Sequence, residues 1–136
     1  MQKSNARIKM SDVFDRRVAP VLEKLRQGQQ VSESEVSSAV ELLIKDTFGV
    51  STASQRNTID VAVEDPEGNC IAAIEVKSPR NTAEMISSTD FNKKALHQIF
   101  YYYLLGRYGN DKTFKTLQYY IITDLEHWYF FDNTSF

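Results

Sequence analysis

The stretch from Ile59 to Lys77 constrains this chain more than any other. Ile59, Val61 and Val63 alternate with Asp60, Ala62 and Glu64, then Asp65-Pro66-Glu67-Gly68-Asn69 intervenes, and Ile71 to Val76 is again apolar. Alternation with a period of two puts successive side chains on opposite faces of a strand. A cluster of turn formers between two such runs marks a hairpin. With Glu67-Gly68 as its midpoint, Val61 faces Ile74, Val63 faces Ala72 and Asp60 faces Glu75. Lys77 lies two residues beyond Glu75 and shares its face. Ile59, Val61, Val63, Ala72, Ile74 and Val76 then form an apolar face, and the other face presents two carboxylates and a lysine.

The rest of the chain supplies what a hairpin needs to be covered. Its 136 residues fit one domain. A hydrophobic fraction of 42% with 25% charged residues excludes a disordered chain or a fibre. Residues 1–10 are polar and expected to be a mobile tail. Residues 11–32 form a helical extension in which Pro20 either kinks the segment or opens a second helix near Val18. The core is expected over 33–136. Ser32-Glu33-Ser34-Glu35 reads as a capping box, and Val36, Ala39, Val40, Leu43, Ile44 and Thr47 follow at helical spacing up to Gly49. This spacing predicts a helix over 33–48.

Residues 51–57 read as loop and 78–90 as an irregular link. Thr89 or Asp90 is expected to cap a long helix through Tyr108, buried on Ala95, Leu96, Ile99, Phe100 and Tyr103. Leu117–Thr123 and His127–Phe131 read as two closing strands. The fold class is α/β (α+β), with a mixed central sheet of four to five strands flanked by helices.

The carboxylates carry the chemistry. Like charges directly opposed on a sheet repel, and a divalent cation relieves that repulsion. Mg²⁺ takes one or two carboxylates and fills its octahedron with water and substrate phosphate. Lys77 beside such a pair orients a water or steadies a phosphate oxygen, which together suits metal-assisted phosphodiester hydrolysis. The competing interpretation is a solvated sheet face with a cross-strand Lys–Glu pair.

Ile59-Asp60 followed by Ile74-Glu75-Val76-Lys77 resembles the PD-(D/E)XK nuclease superfamily, with Ile59 where the written pattern has proline. The resemblance implies a restriction-endonuclease-like core, Asp60 and Glu75 as Mg²⁺ ligands (with Mn²⁺ as a substitute), the Val76 backbone carbonyl as a further ligand, and Lys77 as the catalytic lysine. Family members commonly carry a glutamate on the first core helix, and Glu41 stands at that place. Gln98-Ile99-Phe100-Tyr101-Tyr102 resembles the Q-x-x-x-Y motif of the RecB-like branch, with Lys94, Gln98 and Tyr102 on one helical stripe. This implies catalytic support from Gln98, and DNA contacts from Arg80, Lys94 and Tyr102.

Taken with Ser78-Pro79-Arg80-Asn81, Glu84-Met85 and Trp128-Tyr129-Phe130-Phe131, the pattern is similar to the N-terminal nuclease domain of type IIG restriction–modification enzymes. That resemblance implies double-stranded DNA as substrate, methyltransferase and target-recognition domains outside this sequence, and transient pairing of two copies on DNA. Two alternatives remain: a catalytically weak DNA-binding or assembly module of the same fold, or a freestanding Holliday-junction-type resolvase. A net charge of −2 is low for a freestanding nucleic-acid binder, so a modest rim of Arg56, Lys77, Arg80, Lys93 and Lys94 is expected to meet the phosphates. One cysteine, Cys70, and the absence of an apolar run of 18 residues point to a cytoplasmic, non-membrane protein. Cys70, His97 and His127 lack the paired spacing of a zinc site.

Overall fold

The computed structural model describes residues 2–136, with the side chains of 2–9 and 53–55 outside the description. Ten elements follow in order: α1 (Gln2–Arg17), α2 (Ala19–Arg26), α3 (Glu33–Phe48), β1 (Ser51–Arg56), β2 (Ile59–Glu64), β3 (Cys70–Val76), α4 (Lys94–Tyr108), α5 (Lys112–Lys115), β4 (Tyr119–Thr123) and β5 (Trp128–Asp132). The architecture is α+β. A five-stranded mixed sheet has the order β1-β2-β3-β4-β5, antiparallel except between β3 and β4.

The expected tail is helical in its backbone from Gln2 onward. Residues 2–10 contain no Gly or Pro, and Lys, Arg, Ala and Met among them are good helix formers. Pro20 opens a second helix: α2 starts after Val18 with the proline in its first turn, where its missing N–H leaves no bond unmade.

α3 has the expected bounds. Ser32 Oγ accepts from the Glu35 N–H at 3.2 Å, and Gly49 closes the helix at φ 66°, a conformation that favours glycine. Only half of the expected capping box forms. The Glu35 side chain turns instead to Lys24 on α2 at 2.9 Å, and that pair ties α2 to α3.

The hairpin register is as expected over Val61↔Ile74, Ala62↔Ala73 and Val63↔Ala72. Beyond it, Glu64 pairs with Cys70, which leaves Ile71 as an extra residue in β3. In the turn, Asp65 Oδ1 accepts from the N–H groups of Glu67 and Asn69 at 3.0 and 2.8 Å.

Residues 51–56 form a strand, not a loop. They pair with the whole of β2 through a tight turn in which Asn57 takes φ 55°. α4 begins at Lys94, later than expected, because Asp90 is spent on a local turn in which it accepts from the Asn92 N–H at 3.0 Å.

Helices pack against both sheet faces. Val61, Val63, Ala72, Ile74 and Val76 pack with α1 and α3 through Val13, Val36, Val40 and Leu43. Ala62, Ala73, Tyr120 and Ile122 pack under α4 with Ala95, Ile99 and Tyr102. Two expectations fail here. Ile59 is buried in the second cluster rather than with Val61, and Phe100 is exposed. The face expected to present charges to solvent is therefore a second apolar layer, and the charged residues sit at its end. Among the described residues no helix is long and apolar enough to cross a membrane.

Candidate functional site

The site forms where β2 and β3 part. The last paired residues of the hairpin on this side are Val61 and Ile74. One step further, the Val76 N–H donates to Asp60 Oδ2 at 2.8 Å instead of to a backbone carbonyl of β2. A side chain thus completes the ladder, and Asp60 is fixed across β3. Glu75 follows on β3, pairs in register with Ile122 of the parallel strand β4, and is only 5% exposed. Lys77 continues the same face just past the strand end, where its N–H donates to the Thr123 carbonyl at 3.0 Å. Its Nζ lies 3.2 Å from Glu75 Oε1.

Asp60, Glu75 and Lys77 therefore meet, as the hairpin spacing implied. Their charges do not balance. Burial, followed by the Asp60 charge, pushes the Glu75 carboxyl up to about 7. Burial likewise raises Asp60, although the Val76 N–H and Lys77 pull it back. For Lys77, burial alone favours the neutral amine, but the Glu75, Glu33 and Glu84 carboxylates together hold it above its usual value. Lys77 is a fixed cation at neutral pH.

α4 supplies the support. Tyr102 is wholly buried; its hydroxyl donates to the Thr58 carbonyl at 2.6 Å and lies 3.3 Å from Glu75 Oε2. Gln98 Nε2 donates to the Tyr102 hydroxyl at 3.2 Å. The sequence spacing placed Gln98 and Tyr102 on one stripe, and the structure turns that stripe toward Glu75. Tyr102 cannot touch DNA from such a position, which corrects the expectation of a DNA contact. Its hydroxyl gives its one proton to Thr58 and stands beside the Glu75 carboxylate.

Glu41 lies elsewhere. It accepts from Thr52 Oγ1 at 3.3 Å, toward β1. The α3 acid whose charge bears on both Asp60 and Lys77 is Glu33, two turns earlier. Those two turns span about 12 Å along the axis, which is why one helix cannot bring both glutamates to the same site.

Glu84 stands in the quoted sequence pattern, but the sequence reading gave it no role. Its Oε2 lies 3.6 Å from Lys77 Nζ and its Oε1 3.1 Å from Lys94 Nζ, while Asn81 Nδ2 donates to Oε2 at 2.7 Å. The only local signal was Asn81 three residues ahead, whose Oδ1 accepts from the Glu84 N–H.

The expected cationic rim is largely neutralised. Arg56 pairs with Glu64, Lys93 with Asp90 and Lys94 with Glu84. Arg80 is exposed and has no ion pair among the described residues.

No group of three or more His, Cys, Asp or Glu side chains suited to a metal is present among the described residues. The donor set that does converge is Asp60 with Glu75. Two hard oxygen donors, Glu75 buried and Asp60 half-buried, with Lys77 as the one cation against Glu75, fit a divalent cation such as Mg²⁺.

A family model described as a domain of unknown function (DUF7149) matches residues 1–136, and the chain belongs to that family. No curated protein and no solved structure matches it.

Proposed function

We propose that this chain is a Mg²⁺-dependent DNA endonuclease domain of the PD-(D/E)XK type. The observation that carries the reading is the meeting of Asp60, Glu75 and Lys77 at the parted ends of β2 and β3, with Glu75 pushed up to about 7 by burial and by Asp60. Placing the half-buried Asp60 charge against the buried Glu75 carboxyl costs the fold stability. Such a pair is retained where a cation or a reaction uses it.

Asp60 and Glu75 would hold the metal, with the Val76 carbonyl as a further donor; Mn²⁺ would serve in the same place. Bound there, the ion supplies Lewis-acid polarisation of a phosphate oxygen. The chain's own residues do the rest. Lys77 keeps its proton at neutral pH, so it neutralises phosphate charge or orients a water as a donor and does not act as a base. Tyr102 packs beside Glu75 Oε2 and is itself held by Thr58 and Gln98. Arg80 and Lys94 are the cations exposed enough to reach a DNA backbone, and such contacts are blind to sequence. Recognition of a particular site, cytoplasmic location, and association with methyltransferase and target-recognition domains belong to the same proposal. So does pairing of two copies to cut both strands.

The test is plasmid nicking by the purified chain with Mg²⁺ or Mn²⁺, against the Asp60→Asn variant. Asparagine keeps an acceptor for the Val76 N–H and removes the charge. The expected result is metal-dependent nicking that falls by about a hundredfold or more in the variant. Equal nicking by both proteins, or duplex binding without any metal-dependent cleavage, would overturn the reading in favour of a binding module.

A further inference from the structure

The Glu84 carboxylate sits between two ammonium groups, 3.6 Å from Lys77 Nζ and 3.1 Å from Lys94 Nζ. Asn81 Nδ2 supplies a third donor at 2.7 Å. An anion ringed by two lysines and an amide describes a phosphate site as well as it describes this carboxylate. The Lys77 side chain is only 6% exposed, and Glu84 is one of the two carboxylates engaging it.

The backbone around Glu84 is pinned. Its carbonyl accepts from the Ala95 N–H at 3.0 Å, the Met85 N–H donates to the Asn81 carbonyl at 3.2 Å, and Met85 and Ile86 are buried. The carboxylate is the partly exposed end of a segment whose backbone is fixed. Lys94 is 64% exposed and Glu84 32%, so the Lys94 side of the pair faces solvent.

We propose that Glu84 is an internal stand-in for a substrate phosphate: a DNA phosphodiester enters by displacing its carboxylate from Lys94 and Lys77. This rests on the nuclease reading of the same site and adds to it the residue that governs entry. The displacement leaves Glu75 and Asp60 in place and exposes Lys77 to the incoming phosphate. Glu84 thereby lowers affinity for DNA and guards the site against small anions.

The experiment measures duplex DNA binding by fluorescence anisotropy in EDTA across a salt series, for the full chain and for Glu84→Gln. Glutamine keeps an acceptor for Asn81 and loses the charge. The expected result is binding about five- to tenfold tighter, with a salt dependence steeper by about one phosphate contact. In Glu84→Gln with Lys94→Gln the gain disappears. Unchanged or weaker binding by Glu84→Gln, with circular dichroism and melting temperature preserved, would overturn the inference even if the wild-type chain cuts DNA. A wild-type chain that neither binds nor cuts DNA would overturn both readings.

Discussion

Glu75 holds its proton to about 7, against an ordinary carboxyl value near 4.5, because burial and the neighbouring Asp60 both penalise its charge. The folded chain therefore binds this proton more tightly than the unfolded chain. The stabilisation is complete below the ordinary value and is lost as pH rises through about 7. Asp60, raised for the same first cause, adds to the trend. Metal-free protein is expected to lose on the order of 2 kcal/mol of stability from this pair between pH 5 and pH 8, measured by calorimetry in EDTA. Glu75→Gln should flatten that slope. Mg²⁺ competes with the proton for the same oxygens, so its stabilising effect should be larger at pH 8 than at pH 5.5. A pH-independent Mg²⁺ effect would place the ion elsewhere.

α4 carries the support for Glu75, and its position is set by close contact with α5. A Cβ on Gly106 would meet the Phe114 carbonyl oxygen at 2.5 Å and the Phe114 carbonyl carbon at 3.2 Å. Both are backbone atoms and cannot rotate away. Gly106→Ala is expected to cost about 2 kcal/mol, because the helices must separate; denaturant unfolding checks this. The stacked rings of Tyr102 and Phe114, 5.7 Å apart, lie in the same contact. The variant should therefore also shift Tyr102 away from its place beside Glu75. α3 was legible in full because its caps and its apolar period are local. The α4 start was not, because Asp90 has two ways to satisfy nearby N–H groups and only the folded loop selects one. β1 gave no signal at all: a polar edge segment such as Ser51–Arg56 becomes a strand only when β2 offers its ladder.

The sheet divides the molecule into two apolar layers, one under α1 and α3 and one under α4. The first layer is incomplete. Beyond the edge of α3, a groove of about 700 Å³ opens over β4 and β5, with Phe48, Tyr119, Trp128 and Phe130 along it. Phe130 is 71% exposed and Phe48 60%. An apolar groove of this kind binds hydrophobic dyes in the native state. Substituting Phe48→Ser with Phe130→Ser should reduce native-state dye fluorescence severalfold while changing stability by less than about 1 kcal/mol. A large loss of stability would mean that these rings support the core rather than border it.

Period-two alternation, the Asp65–Asn69 turn and the α3 caps depend on residues a few positions apart. The sequence alone therefore determined the hairpin, its register from Val61 to Val63, and the shared face of Glu75 and Lys77. The spacing of Gln98 and Tyr102 was local in the same way, and tertiary packing needed only to turn that stripe inward. The remainder was decided by contacts between distant segments. Parallel pairing of β3 with β4 buried Glu75 and set its proton affinity. The path of residues 77–93 brought Glu84 over Lys77. The rotation of α3 sent Glu41 to β1 and left Glu33 near the site. Local pattern fixes which face a side chain takes along its own element. Which charges then meet, and how dry their surroundings are, depends on elements that the chain joins only when it folds.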